Sequence, residues 1–91
     1  MIRYENEIVK RIAKRLIPED IFVHFNNVFS ALDLTKDLQL FDIKQLKVLK
    51  NIERVYYRLR KDKYRTIFYI SENDLNVVAL DKCEEVYKKW Q

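Results

Sequence analysis

Residues 53–70 read ERVYYRLRKDKYRTIFYI, and two chemistries alternate along them. With Lys61-Asp62 as a two-residue turn, the segment is an antiparallel hairpin in which Leu59 faces Tyr64, Arg58 faces Arg65, Tyr57 faces Thr66 and Val55 faces Phe68. Successive side chains of a strand point to opposite sides, so Val55, Tyr57, Leu59, Tyr64, Thr66, Phe68 and Ile70 gather on one face, which needs a core. Arg54, Tyr56, Arg58, Arg60, Lys63, Arg65, Ile67 and Tyr69 gather on the other. Facing like charges destabilise a sheet unless something outside compensates them, so an anionic partner is expected.

The wider charge distribution agrees. Residues 44–65 hold nine Lys/Arg (Lys44, Lys47, Lys50, Arg54, Arg58, Arg60, Lys61, Lys63 and Arg65) against Glu53 and Asp62, a local +7 within a chain of net +4, which leaves −3 elsewhere. A basic patch on a nearly neutral body is the electrostatic footprint of a phosphate-binding surface, with a merely solvated charged face as the alternative. The chain has 91 residues, 48% of them hydrophobic and 13% aromatic, enough for one domain over residues 1–91 around a single core.

Other classes find little support. One Cys excludes an internal disulfide, and one Cys with one His cannot assemble a structural zinc site, so neither a metal nor another cofactor is expected. The uncharged run Ile21–Leu32 is twelve residues long and contains His24, Asn26, Asn27 and Ser30, too short and too polar to span a bilayer. Arg3, Glu5 and Glu7 interrupt any signal-peptide core. No membrane role and a reducing cytoplasmic location are the expectations.

In chain order, Met1–Tyr4 is at most a short strand, with Asn6 as the cap of a first helix. Ile8, Ile12 and Leu16, with Val9 and Ala13, repeat at helical spacing, and Lys10, Arg11, Lys14 and Arg15 lie largely opposite. Pro18 suits the first turn of a second helix, Glu19 and Asp20 its positive end, and the stripe Ile21, Phe25, Val28, Phe29 and Leu32 carries it to about Asp33. Phe22, Val23 and Ala31 widen that stripe beyond what one contact needs, which fits a deeper core or, as the alternative, a partner helix. Residues 35–39 are polar and irregular, and the spacing of Leu40–Ile52 is ambiguous. After the hairpin, Ser71–Asp74 supplies a turn without glycine, and Leu75–Leu80 forms a further antiparallel strand. Pairing Ile70 with Leu75 and Phe68 with Val77 extends the core face and leaves Val78 and Leu80 on the other. Asp81–Cys83 then leaves the sheet, and Glu84–Trp90 forms a short helix or tail. The class is α+β, with two N-terminal helices packed on one face of an antiparallel sheet of three to four strands. His24 and Cys83 read as structural residues, since no partner pattern surrounds either.

A helix pair with Pro18 between its members, then FDIKQLKVLKN (41–51), YYRLRKDKYRTIFYI (56–70) and a last strand ending in EEVYKKW (84–90), resembles the RelE/ParE superfamily of toxins from bacterial and archaeal toxin–antitoxin pairs. The resemblance covers nearly the whole chain. It implies a compact sheet whose face opposite the helices binds the target. In the RelE branch the target is messenger RNA in the ribosomal decoding site, cut by a metal-independent endonuclease. It further implies a cognate antitoxin, expected to be acidic and encoded by an adjacent gene.

Residue by residue, Arg65 in KYRTIF matches the family's Tyr-Arg arginine at the scissile phosphate. Arg58 falls where catalytic members carry a strand lysine, and Tyr87 in EEVY matches the C-terminal tyrosine that stacks on a base or assists proton transfer. A tyrosine of ordinary pKa, about 10, is a poor base at neutral pH, so stacking suits Tyr87 better. Lys82 supplies positive charge where many members have a His-Arg pair and this chain has Lys82-Cys83. Around these four candidate catalytic residues, Arg54, Tyr56, Arg60, Lys63, Tyr69, Lys44, Lys47 and Lys50 are candidate nucleic-acid contacts. The second strand lysine of the RelE branch falls on Tyr56, and the glycine common in the first hairpin is absent. A ParE-like inhibitor of DNA gyrase, which cuts no nucleic acid, tolerates these departures, as does a decayed member that only binds an antitoxin or nucleic acid.

Overall fold

The computed structural model describes residues 1–46 and 54–83. In chain order its elements are β1 (Ile2–Tyr4), α1 (Asn6–Ala13), α2 (Glu19–Thr35), a 3-10 turn (Leu38–Leu40), β2 (Ile43–Leu46), β3 (Tyr56–Lys61), β4 (Tyr64–Ser71) and β5 (Asp74–Lys82). The strands form one sheet in the order β1-β5-β4-β3-β2. The class is the expected α+β, but the sheet has five strands, and β1 runs parallel to β5 with Ile2 beside Leu75 and Tyr4 beside Val77. The other pairs are antiparallel. Residues 84–90, expected to form a short C-terminal helix, lie outside the described residues.

Both helices bury the stripes read from the sequence, with shifted limits. Helix α1 ends at Ala13, so Leu16 is exposed and Ile17 enters the core instead. Helix α2 is entered through Pro18 and continues past Asp33 to Thr35. Glu19 and Asp20 occupy its first turn, where acids favour the helix dipole. Ile21, Phe25, Val28, Phe29 and Leu32 pack with Ile8 and Ile17 onto Leu59, Phe68, Leu75, Val77 and Leu80. Phe22 packs at the rim of this cluster, whereas Val23 stays exposed. Phe29 meets Phe68 edge-on at 5.3 Å, and Tyr57 stacks on Phe68 at 5.6 Å. Such aromatic pairs contribute about 0.5 to 1.5 kcal/mol beyond the area they bury. Tyr4 donates to Asn26 Oδ1 at 2.8 Å, and burial pushes its hydroxyl pKa up to about 12.

The turn between β3 and β4 is Asp62-Lys63 rather than Lys61-Asp62. Leu59 therefore faces Thr66, Tyr57 faces Phe68, Arg58 faces Ile67 and Arg60 faces Arg65. Asp62 takes the left-handed backbone (φ 55°), which a short Asx side chain tolerates better than lysine does. The change of partner is by two residues, so every side chain keeps the face assigned to it. Val55 and Ile70 lie at the far end of the hairpin and are exposed rather than part of the core.

Beyond Val77 the strand β5 changes phase. Phe68 faces Val77 as expected, but Ile67 faces Ala79, so Val78 is a bulge residue. Leu80 consequently points into the core rather than to the opposite face, and β5 continues to Lys82 instead of ending at Leu80. Thr66 is fully buried at this point, and its hydroxyl donates to the Ala79 carbonyl at 2.8 Å, supplying a partner where the ladder is disrupted.

The sequence contains no glycine, yet Arg15, Lys36, Asp62, Glu72 and Asn73 all have positive φ. At Glu72-Asn73 (φ 53° and 68°) two consecutive residues do so, the pattern of a type I′ hairpin that Asn-Gly satisfies best. The double substitution Glu72→Asn/Asn73→Gly is expected to stabilise the fold by about 1 kcal/mol in urea unfolding, through relief of left-handed strain.

Asp74 at the same hairpin accepts from Arg3 Nε at 2.9 Å. That hydrogen bond, and secondarily the N-terminal ammonium, holds its carboxyl below the ordinary 3.8. A depressed carboxyl stabilises the fold above its unfolded-state pKa and loses that contribution as pH falls through the folded value. Asp74→Asn should therefore lower Tm at neutral pH, and the difference from wild type should close in solutions well below pH 3.8. A Tm gap unchanged by acid would show that Asp74 does not act through its charge.

Candidate nucleic-acid interface

The sheet face away from the helices is built in cross-strand rows. One row runs Leu46, Tyr56, Tyr69, Asn76, the next Lys44, Arg58, Ile67, Ala79, and the third Arg60, Arg65, Asp81. A small apolar cluster of Tyr56 and Ile67, flanked by Leu46, Tyr69, Val78 and Ala79, holds the middle of this face. Tyr56 is only 7% exposed and meets the Tyr69 ring edge-on at 5.7 Å, so it supports Tyr69 from within the cluster. Tyr69 is half-buried, and the Arg54 guanidinium lies over its ring at 4.0 Å. A hydrogen bond to Tyr56 raises the Arg54 pKa further above its usual value, so this exposed residue is a permanent cation on an aromatic surface.

The charged end of the face is formed by Arg58, Arg60, Arg65 and Lys44. Arg58 and Arg65 share the face but are diagonal neighbours, since Arg60 is the residue opposite Arg65. Both are half-buried, so their apolar stems lie on the sheet. Arg60 is exposed, and its Nε donates to the Asp62 carbonyl at 3.3 Å, which directs it along the hairpin end. There Arg60, Lys63, Lys82 and Cys83 line an open depression of about 450 Å³. The Cys83 backbone N–H donates to the Lys63 carbonyl at 2.8 Å and links two of its lining residues. Lys47, Lys50 and Tyr87 lie outside the described residues. Of the other residues singled out, Lys44, Arg54, Arg58, Arg60, Lys63, Arg65, Tyr69 and Lys82 are brought to this face or its rim.

Such a surface can accept phosphates along its cationic rows and a flat base beside the stacked Arg54–Tyr69 pair. Arginines at sheet positions are suited to the first task because the planar guanidinium remains charged and contacts two oxygens at once. Among the described residues no group of three or more His, Cys, Asp or Glu is placed to hold a metal. His24 is half-buried and edge-on to Phe25 at 5.8 Å, part of the helix packing. Sequence reasoning missed Asp81, the acid in the Arg60–Arg65 row. Its place depends on the bulge at Val78, and the sequence gives no sign of that bulge.

A helix pair on one side of a five-stranded sheet, and an arginine-rich surface on the other, define the class: a small α+β domain with an exposed cationic sheet face. No model of a known protein family matches the sequence, and no curated protein matches it. Among solved structures, a chain in the crystal structure of the archaeal RelE–RelB complex from Pyrococcus horikoshii OT3 has a TM-score of 0.67 to this one, at 19% identity, over 89% of this chain and 91% of that chain. The fold is RelE-like. No helix of the described residues is long and apolar enough to cross a membrane.

Proposed function

We propose that this protein is a RelE-like toxin, a ribosome-dependent endonuclease of messenger RNA held in check by a cognate antitoxin. The observation that carries this reading is the set Arg58, Arg60, Arg65 and Lys44 on the sheet face that the helices leave uncovered, in a RelE-like fold. The chemistry asked of it is attack by a ribose 2′-hydroxyl on the adjacent phosphorus, its proton passing to solvent, to give a 2′,3′-cyclic phosphate with expulsion of the 5′-oxygen, which takes up a proton from solvent. Arg65 stabilises the extra negative charge of the phosphorane, and Arg58, on the diagonal, holds a neighbouring phosphate oxygen. Tyr87 stacks on a base, and Lys82 at the rim adds positive potential. No step needs a metal ion.

A ParE-like gyrase inhibitor is the second reading. It is favoured by Tyr56, which takes the place of a strand lysine and is buried, and by Lys82-Cys83 in place of the His-Arg pair. A decayed member that only binds an antitoxin or nucleic acid fits the same departures.

The test is induction of the wild type and variants in cells, with mapping of the 5′ ends of translated messages and a parallel supercoiling assay. Cleavage inside codons, reduced by about 10² to 10³ in Arg65→Ala, supports the nuclease, because one transition-state donor typically contributes that much. Arg58→Ala should act in the same direction but less. Toxicity with intact messages and inhibited gyrase would support the ParE-like reading, and no toxicity the decayed binder.

The antitoxin is the second prediction from this reading. The pairing in the RelE–RelB complex supports a partner here, and the cationic face suits an acidic segment laid across it. Co-expression with the product of the adjacent gene should give a stable complex with a raised Tm, since a ligand that binds only the folded state stabilises it. Two proteins that purify separately, with an unshifted Tm, would count against it.

A further inference from the structure

The tyrosine end of the basic face has a chemistry of its own. Tyr69 of β4 stands directly opposite Asn76 of β5, and Asn76 stands beside Arg3 of β1, so the three share one cross-strand row on the side away from the helices. Residues directly opposite on one face of an antiparallel pair have Cβ atoms about 5 Å apart, which places the Asn76 amide next to the Tyr69 side chain. The Arg54 guanidinium lies over the Tyr69 ring at 4.0 Å, and Arg54 is exposed, so it forms the outer layer of the stack. A hydrogen bond to Tyr56 helps to hold it there.

Asn76 Nδ2 donates to the Asp74 carbonyl at 3.2 Å, which fixes the amide through one of its two hydrogens. Among the described residues that is the one hydrogen bond of the Asn76 side chain, so its second N–H and its Oδ1 remain as an adjacent donor and acceptor. The acid on the same side of β5, Asp74, is taken up by Arg3 Nε at 2.9 Å. A flat cation on an aromatic ring is a stacking platform, and stacking alone accepts any base. A side-chain amide adds selection, because it pairs with the adenine edge on which N6–H donates and N7 accepts. Tyr69 is four residues along β4 from Arg65, about 13 Å at the strand rise, so a base held here belongs to a nucleotide outside the arginine cluster.

We propose that Arg54, Tyr69 and Asn76 form a base-binding subsite for single-stranded RNA, in which one unpaired adenine continues the Tyr69–Arg54 stack and its N6/N7 edge pairs with the Asn76 amide. The proposal rests on the reading that this face binds nucleic acid and gives that face a sequence preference. Phosphate contacts on the arginine rows position the strand, and Asn76 selects the base.

The experiment measures binding of the full chain, by fluorescence anisotropy across a salt series, to a fluorescein-labelled dodecauridylate and to the same oligomer with a single central adenine. Circular dichroism and Tm check that each variant is folded. The wild type should bind the adenine oligomer about 5-fold more tightly, the lower end for one bidentate base contact. Asn76→Ala should abolish that difference while dodecauridylate affinity and the salt slope stay as in the wild type, since no phosphate contact is removed. Arg54→Lys keeps the charge and loses the plane, so it should weaken both oligomers by about 5-fold, the lower end for one stacked base, without changing the salt slope.

Equal wild-type affinity for the two oligomers, with steep salt dependence, overturns the subsite and leaves the phosphate-binding reading of the face standing. Failure of the wild type to bind either oligomer at low salt removes the nucleic-acid reading and the subsite with it. If Asn76→Ala loses the same factor on both oligomers and lowers Tm, Asn76 only supports the Asp74 turn, which overturns the proposal. Wild-type affinity in Arg54→Lys would make Arg54 a phosphate contact rather than a stacking plane, and overturns it as well.

Discussion

The alternation of β4 divides this molecule into two. It is paired with β3 on one side and β5 on the other, sends Thr66 and Phe68 to the helices, and sends Arg65, Ile67 and Tyr69 to the opposite surface. Phe68 is fully buried against Phe29 and Tyr57, so a shift of the strand by one residue would put an arginine into the aromatic core. Burying an unpaired guanidinium costs far more than any single contact could return. The cationic face therefore exists because the aromatic face is fixed, and the two cannot be varied independently.

That dependence explains how a chain can maintain a surface that opposes its own stability. Arg60 and Arg65 lie across from each other and Arg58 is diagonal to Arg65, an arrangement that raises the free energy of the folded state. Part of the repulsion is relieved within the face itself. Arg54 is spread over the Tyr69 ring, Arg60 bonds the Asp62 carbonyl, and the apolar cluster around Tyr56 and Ile67 gives the arginine stems something to lie on.

The bulge at Val78 decides which acid, if any, enters that field. It removes Leu80 from the basic face and installs Asp81, whose carboxylate is then tied to α1. The same irregularity is stabilised from below by Thr66, whose hydroxyl serves the Ala79 carbonyl in an otherwise apolar layer. Core, bulge and charged surface thus share a few residues of β4 and β5, so the make-up of the face depends on packing on the opposite side of the sheet.

The two-faced character of the hairpin followed from the sequence alone, because a period of two in side-chain chemistry survives a change of turn. Lys61-Asp62 gave way to Asp62-Lys63, and each residue kept its side. The helix stripes were legible for the same kind of reason, since Ile21, Phe25, Val28, Phe29 and Leu32 repeat at the helical period whatever the exact ends. What only the tertiary structure decided depends on contacts between distant segments. The parallel pairing of β1 with β5 joins residues more than seventy positions apart, and no local pattern in Ile2–Tyr4 announces it. Strand β2 is too short and too mixed to be told from a helix until Leu59 and Tyr57 lie beside it. The phase of β5 beyond Val77, and with it the position of Asp81 opposite Arg65, goes with the burial of Leu80 in the helix-covered core and of Thr66 beside it in the sheet, a three-dimensional fit that the alternation of a single strand cannot encode.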